Sequence, residues 1–149
     1  MNPGPDATTL NGKMEIRSDT DVVDIRSKVR DLCNNVGFSL SETTRVVTAT
    51  SELARNIIEF AETGEVRWKI LENYSASAPQ EETVGIELTF EDDGPGIEDL
   101  EWAMQDGTST GNGLGKGLPG AKKLMDEMEV ESGPGSGTRI ILKKWTVGK

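Results

Sequence analysis

Glu52 and Asn56 stand four residues apart in the stretch "SELARN". On a helix, that spacing projects a carboxylate and a carboxamide from one face, one turn apart. Such a carboxylate can take a proton from an attacking hydroxyl. The amide oxygen can serve as one hard ligand of a Mg²⁺ ion that keeps most of its waters. The same pair can equally be a solvated polar face. Downstream, "EDDGPGI" sets Asp92, Gly94 and Gly96 two residues apart, directly after a stretch of alternating hydrophobicity. Taken alone it is either an acidic turn, since Asp, Pro and Gly all favour turns, or a site. Six of the 17 glycines then fall between Gly107 and Gly120, in "GTSTGNGLGKGLPG", and a helical pattern follows at once. A backbone that free can approach phosphate oxygens with no Cβ in the way. Last, "GPGSGTRI" places Gly135, Gly137 and Thr138 ahead of the final strand, where the simplest interpretation is a tight β-turn.

Other chemistries fall away. Gly115 to Gly120 spells G-x-G-x-x-G, but the dinucleotide loop needs a buried strand immediately before it. Here the preceding "QDGTSTGN" is polar and rich in breakers. Gly115-Lys116 is followed by Gly117 rather than Ser or Thr, so there is no P-loop. The protein-kinase catalytic motifs are also missing. With no histidine and one cysteine, a His/Cys metal site, a Ser-His or Cys-His nucleophile and an internal disulfide are all excluded. Cys33, among Val29, Leu32 and Val36, is expected to be a buried core thiol.

Formal net charge is −10, which argues against nucleic acid, whose binding relies on cationic side chains. It leaves small anions open, because beyond a Debye length of about 10 Å the global field is screened. No apolar run approaches the roughly 18 residues of a membrane span, and residues 1–12 lack a signal-peptide core. A cytoplasmic protein is expected, with a frayed tail over 1–12 and one domain over 13–149.

The elements that must position these residues follow from periodicity. Lys13–Arg17 alternates and predicts a strand. Ser18–Asp21 supplies capping residues for a helix through Val22, Ile25, Val29, Leu32 and Val36, ended by Gly37. A second helix is expected after Ser41 as N-cap, carrying Glu52 and Asn56 and stopping near Gly64. Strands are expected over Glu65–Glu72 and from Val84 to Phe90, joined by a polar hairpin connection over Asn73–Glu82. A short helix is possible around Ile97–Met104, and Leu118–Met128 predicts another. Glu129–Ser132 and Thr138–Trp145 close the chain as strands. The order β-α-α-β-β-loop-α-β-β suggests a two-layer α/β sandwich, three helices on a mixed, mostly antiparallel sheet.

In chain order, the motifs are E-x-x-x-N on a helix, D-x-G-x-G after a strand, G-x-G-x-G before a helix and G-x-G-T before a strand. This set resembles the Bergerat ATP-binding fold of the GHKL superfamily over nearly the whole chain, from about Lys13 to Trp145. Nothing is left over for a further domain, which points to the single-domain branch of anti-sigma-factor-type serine/threonine kinases. Within it, "TSELARNI", "EDDGPGI" and "GLGKGLPGAKKLMDEM" are similar to the RsbT-type switch kinases of stressosomes. Phe60, four residues after Asn56, matches the aromatic found there. Asp93, Asn112 and Lys116 depart from that wording, and Lys116 adds charge beside the phosphates.

The resemblance implies ATP and Mg²⁺ as cofactors. Asp92 would accept the adenine amino group, with Gly94 and Gly96 turning the chain under the base and Thr138 joining the adenine end. Asn56 would hold Mg²⁺. Gly111, Gly113, Gly115 and Gly117, with Lys116, would form a short lid over the phosphates, ending on the helix that starts near Leu118. Glu52 would be the catalytic base. The implied partners are STAS-domain substrates and a PP2C-type phosphatase activated on release. Rival expectations are an anti-sigma factor that sequesters a sigma factor and phosphorylates its antagonist, and a non-catalytic ATP-binding module. An isolated histidine-kinase catalytic domain would need a histidine-bearing partner, since this chain has no histidine.

Overall fold

Residues 11–73, 83–97 and 118–146 are described by a computed structural model of the chain. The alternation near the N-terminus forms strand β1, Gly12–Ile16. Helices α1, Asp19–Val36, and α2, Leu40–Asn56, follow, and α2 runs on into a π-helical turn, Ile57–Ala61. Then come β2, Gly64–Asn73; β3, Thr83–Asp92; helix α3, Leu118–Leu124; β4, Glu127–Ser132; and β5, Thr138–Trp145. The described strands form one sheet in the order β1-β2-β3-β5-β4. Every pairing in it is antiparallel, so the expected mixed character does not occur among the described residues.

Period-two alternation decides which face is covered. Val66, Trp68, Ile86, Leu88, Phe90, Ile140 and Leu142 are buried, while Arg67, Lys69 and Arg139 between them are exposed. Helix α1 turns Val22, Ile25, Val29 and Leu32 inward, and α2 turns in Val46, Ala49 and Leu53. These side chains make one core with the inner face of the sheet. Cys33 lies inside it at 0% exposure, and burial pushes its thiol up to about 12. Among the described residues, no helix is long and apolar enough to cross a membrane.

Several boundaries differ from the sequence expectation. The cap of α2 is Ser39, not Ser41. Ser39 Oγ accepts the Glu42 N–H at 3.1 Å, and Glu42 Oε1 accepts the Ser39 N–H at 2.9 Å. This reciprocal capping box satisfies two amides that the helix itself cannot. Ser18 occupies the N-cap of α1 but makes no side-chain cap bond. Asp21 instead accepts the Arg17 N–H at 2.8 Å. Helix α3 stops at Leu124 rather than Met128, because the sheet takes its next donor: the Asp126 N–H reaches Lys143 O at 3.0 Å. The Asp126 carboxylate accepts the Trp145 N–H at 2.8 Å. Strand β4 accordingly begins at Glu127. Ile97 is not helical; the remainder of the possible helix to Met104 lies outside the described residues, as do residues 74–82 of the predicted hairpin connection. The register Asn73↔Thr83 confirms that β2 and β3 pair as hairpin strands.

Candidate functional site

Register brings the separated motifs to one end of the sheet. Asp92, the last residue of β3, pairs with Gly64 of β2 on one side and with Thr138, the first residue of β5, on the other. The D-x-G-x-G and G-x-G-T segments therefore leave the sheet side by side. Their contact requires glycine. Gly96 and Gly137 have φ of +79° and +75°, and a Cβ on them would strike the carbonyls of Gly133 and Asp92 respectively. A Cβ on Gly94 would meet the Ala61 Cβ at 2.7 Å, so this glycine lets the loop close on the π-helical turn. Gly135 N–H bonds to Pro95 O at 2.7 Å and joins the two loops through backbone.

Beneath them opens a cavity between α2 and the sheet. Its walls are apolar: Phe60 and Ile57 from the π-helical turn, Phe90 and Ile140 from the sheet, Ile97 from the loop, and Leu118 from the start of α3. Asn56, Asp92 and Thr138 supply the polar side chains of the lining. Phe60 reaches the lining because the helix widens after Asn56, and such π turns recur at functional positions. A concave, mostly apolar pocket with a few convergent polar groups is the usual form of a small-molecule site.

The electrostatics centre on Asp92. Its Oδ1 accepts the Gly94 N–H at 2.9 Å. Burial raises its carboxyl above the ordinary carboxylate value, and Asp93 adds to the rise, while the amides of Gly94 and Thr138 pull it down. The side chain is thus partly desolvated yet held by two donors, a fixed acceptor at the base of the slot.

A family model for the histidine kinase-like ATPase domain matches residues 17–144. The chain is 39% identical over 132 residues to the serine/threonine-protein kinase RsbT of Bacillus subtilis, covering 89% of this chain and 94% of that one. The chain belongs to the histidine kinase-like ATPase family, in its RsbT branch. It is also similar to the anti-sigma F factors of Clostridium kluyveri, at 38% identity over 80% of this chain and 82% of that one. Those of Clostridium perfringens match at 37% identity over 71% of this chain and 74% of theirs. In structure, it resembles the RsbU and RsbW domains of a Mycobacterium tuberculosis protein, with a TM-score of 0.53 and 17% identity. That match covers 92% of this chain, which spans 33% of the other, and it concerns the fold alone. The two-layer α/β arrangement is the one expected of GHKL ATPases.

Within this family member, the structure gathers Asn56, Asp92, Gly96, Leu118 and Thr138 around one cavity. Gly94 supports it from behind, through Ala61 and the Asp92 carboxylate. Glu52 does not line the cavity; it is exposed on α2, one turn before Asn56. Gly111, Gly113, Gly115, Lys116 and Gly117 of the expected lid lie outside the described residues. The described residues contain no group of three or more Asp, Glu, Cys or His side chains arranged to hold a metal. A divalent ion at Asn56 would therefore depend on phosphate oxygens and water for its remaining ligands.

One contributor is absent from the sequence expectation. Ser132, the last residue of β4, accepts the Ile97 N–H at 2.8 Å and donates to Gly137 O at 2.8 Å. It also bonds the Thr138 hydroxyl at 2.9 Å. Nothing in "EVESGPG" marks this serine beyond an ordinary strand-end polar residue. Its role exists only once both loops have folded against it.

Proposed function

We propose that this chain, a serine/threonine-protein kinase by family, uses Mg-ATP to phosphorylate a serine or threonine of a STAS-domain protein in the cytoplasm. On release from that substrate it activates a PP2C-type phosphatase. The observation that carries the nucleotide part is the in-register pairing of Asp92 with Thr138 at the base of an apolar slot edged by Asn56. The lining suits an adenine ring in its chemistry: Phe60, Phe90 and Ile97 offer apolar surface, and Asp92 offers an acceptor for an exocyclic amine.

Phosphoryl transfer is largely positioning and charge neutralisation. Asn56 would hold a divalent ion, which would supply charge neutralisation at the phosphates. Glu52, one turn earlier on the same helix, takes the proton of the attacking hydroxyl. The hydroxyl oxygen bonds the γ-phosphorus as the bond from that phosphorus to the β–γ bridging oxygen breaks, and ADP leaves with that oxygen. By the family resemblance, Gly111, Gly113, Gly115 and Gly117, with Lys116, would supply backbone amides and a positive charge to the phosphates; they lie outside the described residues.

The likeness to anti-sigma F factors supports a second reading, in which the same ATP site serves a protein that sequesters a sigma factor. The greater coverage of the RsbT relative favours the switch kinase. Incubation with γ-labelled ATP and purified STAS proteins tests the first reading, with labelled serine or threonine on the STAS protein as the expected result. Calorimetry with Mg-ATP tests the site itself, and no heat of binding would overturn both readings. Capture of a sigma factor in preference to STAS protein would favour the second.

A further inference from the structure

Ser132 does not line the cavity, yet it touches both loops that do. A serine hydroxyl has one proton to donate and two lone pairs to accept with. Here one lone pair receives the Ile97 N–H, and the proton goes to Gly137 O, each at 2.8 Å. The contact at 2.9 Å to Thr138 Oγ1 must then be filled by the proton of Thr138. With its proton committed to Ser132, the Thr138 hydroxyl can only accept on the side facing the cavity. Asp92, beside it across the β3–β5 register, is an acceptor as well.

We infer that Ser132 is a positioning residue that fixes the polarity of the Thr138 hydroxyl, so that the site selects a purine bearing an amino group at C6 over one bearing a carbonyl. A C6 carbonyl set against two acceptors brings three oxygens together, and the N1 proton beside it can serve only one of the two acceptors; a buried unpaired acceptor is penalised in full. An amino group satisfies them directly or through one water. The same serine sets the height of the slot, because its bond to the Ile97 amide holds the loop whose side chain lines the wall. Removing the hydroxyl releases the Thr138 proton, which can then meet a carbonyl.

The inference rests on the nucleotide-binding reading, and the experiment separates the two. The ratio of dissociation constants for ITP and ATP, each with Mg²⁺, is measured by calorimetry on the full chain. Inosine differs from adenosine in carrying the C6 carbonyl and the N1 proton that goes with it. The wild type should prefer ATP. Ser132→Ala should lower that preference by about tenfold, the size of one hydrogen bond to a buried acceptor, whatever it does to affinity overall. A merely structural role would weaken both nucleotides together and leave the ratio unchanged, which would overturn the inference. Ser132→Thr, which restores the hydroxyl, should recover the wild-type ratio. If Ser132→Ala does not fold, Ser132→Cys keeps the side-chain shape with a weaker donor and acceptor and should lower the ratio in the same sense. Thr138→Val combined with Ser132→Ala should lower it no further than Thr138→Val alone; additive losses would count against coupling through Thr138. Failure of the wild type to bind ATP would instead overturn the nucleotide reading.

Discussion

The carboxylate of Asp92 accepts the backbone N–H of Gly94 at 2.9 Å, so the acceptor at the base of the cavity is fixed by the glycine two residues after it. The turn that follows β3 and the polar group that faces a ligand are one unit. Gly94 fits there because it has no Cβ: one would come within 2.7 Å of the Ala61 Cβ. The end of α2 therefore takes part in orienting a side chain on β3.

Asp92 makes a pH prediction. Burial raises its carboxyl above the ordinary carboxylate value. A carboxyl raised on folding binds its proton more tightly in the native state than in the unfolded chain. Its contribution to stability is fully present below the unfolded value and is lost as pH rises through the native one. Asp92→Asn removes this titration. The melting temperature of the variant minus that of the wild type should be more positive at pH 7 than in the acid range, as thermal melts would show. A difference that grows on acidification would contradict a raised carboxyl. At pH 7 the variant should bind ATP at least about tenfold more weakly.

The glycines at the loop junction make a stability prediction. Gly96→Ala and Gly137→Ala each force a Cβ into a backbone carbonyl at positive φ. Each should cost about 1–3 kcal/mol, the range for strained backbone positions. Gly120, inside α3, has nothing within 4 Å of its missing Cβ. Gly120→Ala should be neutral or stabilise by about 0.5–1 kcal/mol through helix propensity. Denaturant melts of the three variants give the comparison, and equal costs at Gly96 and Gly120 would refute the packing account.

Much of this site was legible because each motif sits beside a strong periodic element. Asp92 ends the cleanest alternation in the chain, and Thr138 begins the last, so periodicity alone puts both at strand ends. Their direct pairing was not legible. It depends on β5 inserting between β3 and β4, which periodicity does not reveal. Phe60 was marked by type, but the widened turn that carries it to the cavity has no signature in a 3.6-residue period. The overlong third helix has a local cause: Met125 and Met128 fit helical spacing, while Glu127-Met128-Glu129-Val130 also alternates as a strand. Pairing with β5 decides between them.

The start of α2 decides between two serines: the sequence expectation is Ser41, while Ser39 and Glu42 carry the S-x-x-E spacing of a capping box. Ser39 makes the cap and Ser41 lies exposed within the first turn. Ser39→Ala should lower stability by about 1 kcal/mol, the usual value for a lost N-cap. Ser41→Ala should stay within about 0.5 kcal/mol, as exposed substitutions do. Glu42→Ala removes the other half of the box and should fall between them. Chemical denaturation with a shared slope would measure all three, and a larger loss at Ser41 would return the cap to that position.

Glu52 is the sharpest test of chemistry against binding. It is exposed, lies one helical turn from Asn56, and does not line the cavity that Asp92 and Thr138 close. A residue so placed has little to give the adenine end of a nucleotide, but it can face an approaching substrate hydroxyl. Glu52→Ala should therefore leave ATP affinity within a few-fold and stability within about 0.5 kcal/mol, since no packing is lost. Transfer of label to the STAS protein should fall by about 10²–10⁴, the range for a general base. Glu52→Gln keeps the shape and should be equally inactive, because the amide cannot take the proton. Asn56→Ala should behave differently, losing transfer together with Mg²⁺-dependent affinity. If Glu52→Gln transferred phosphate at the wild-type rate, the proton would have to leave by another route and Glu52 would revert to a solvated helix residue.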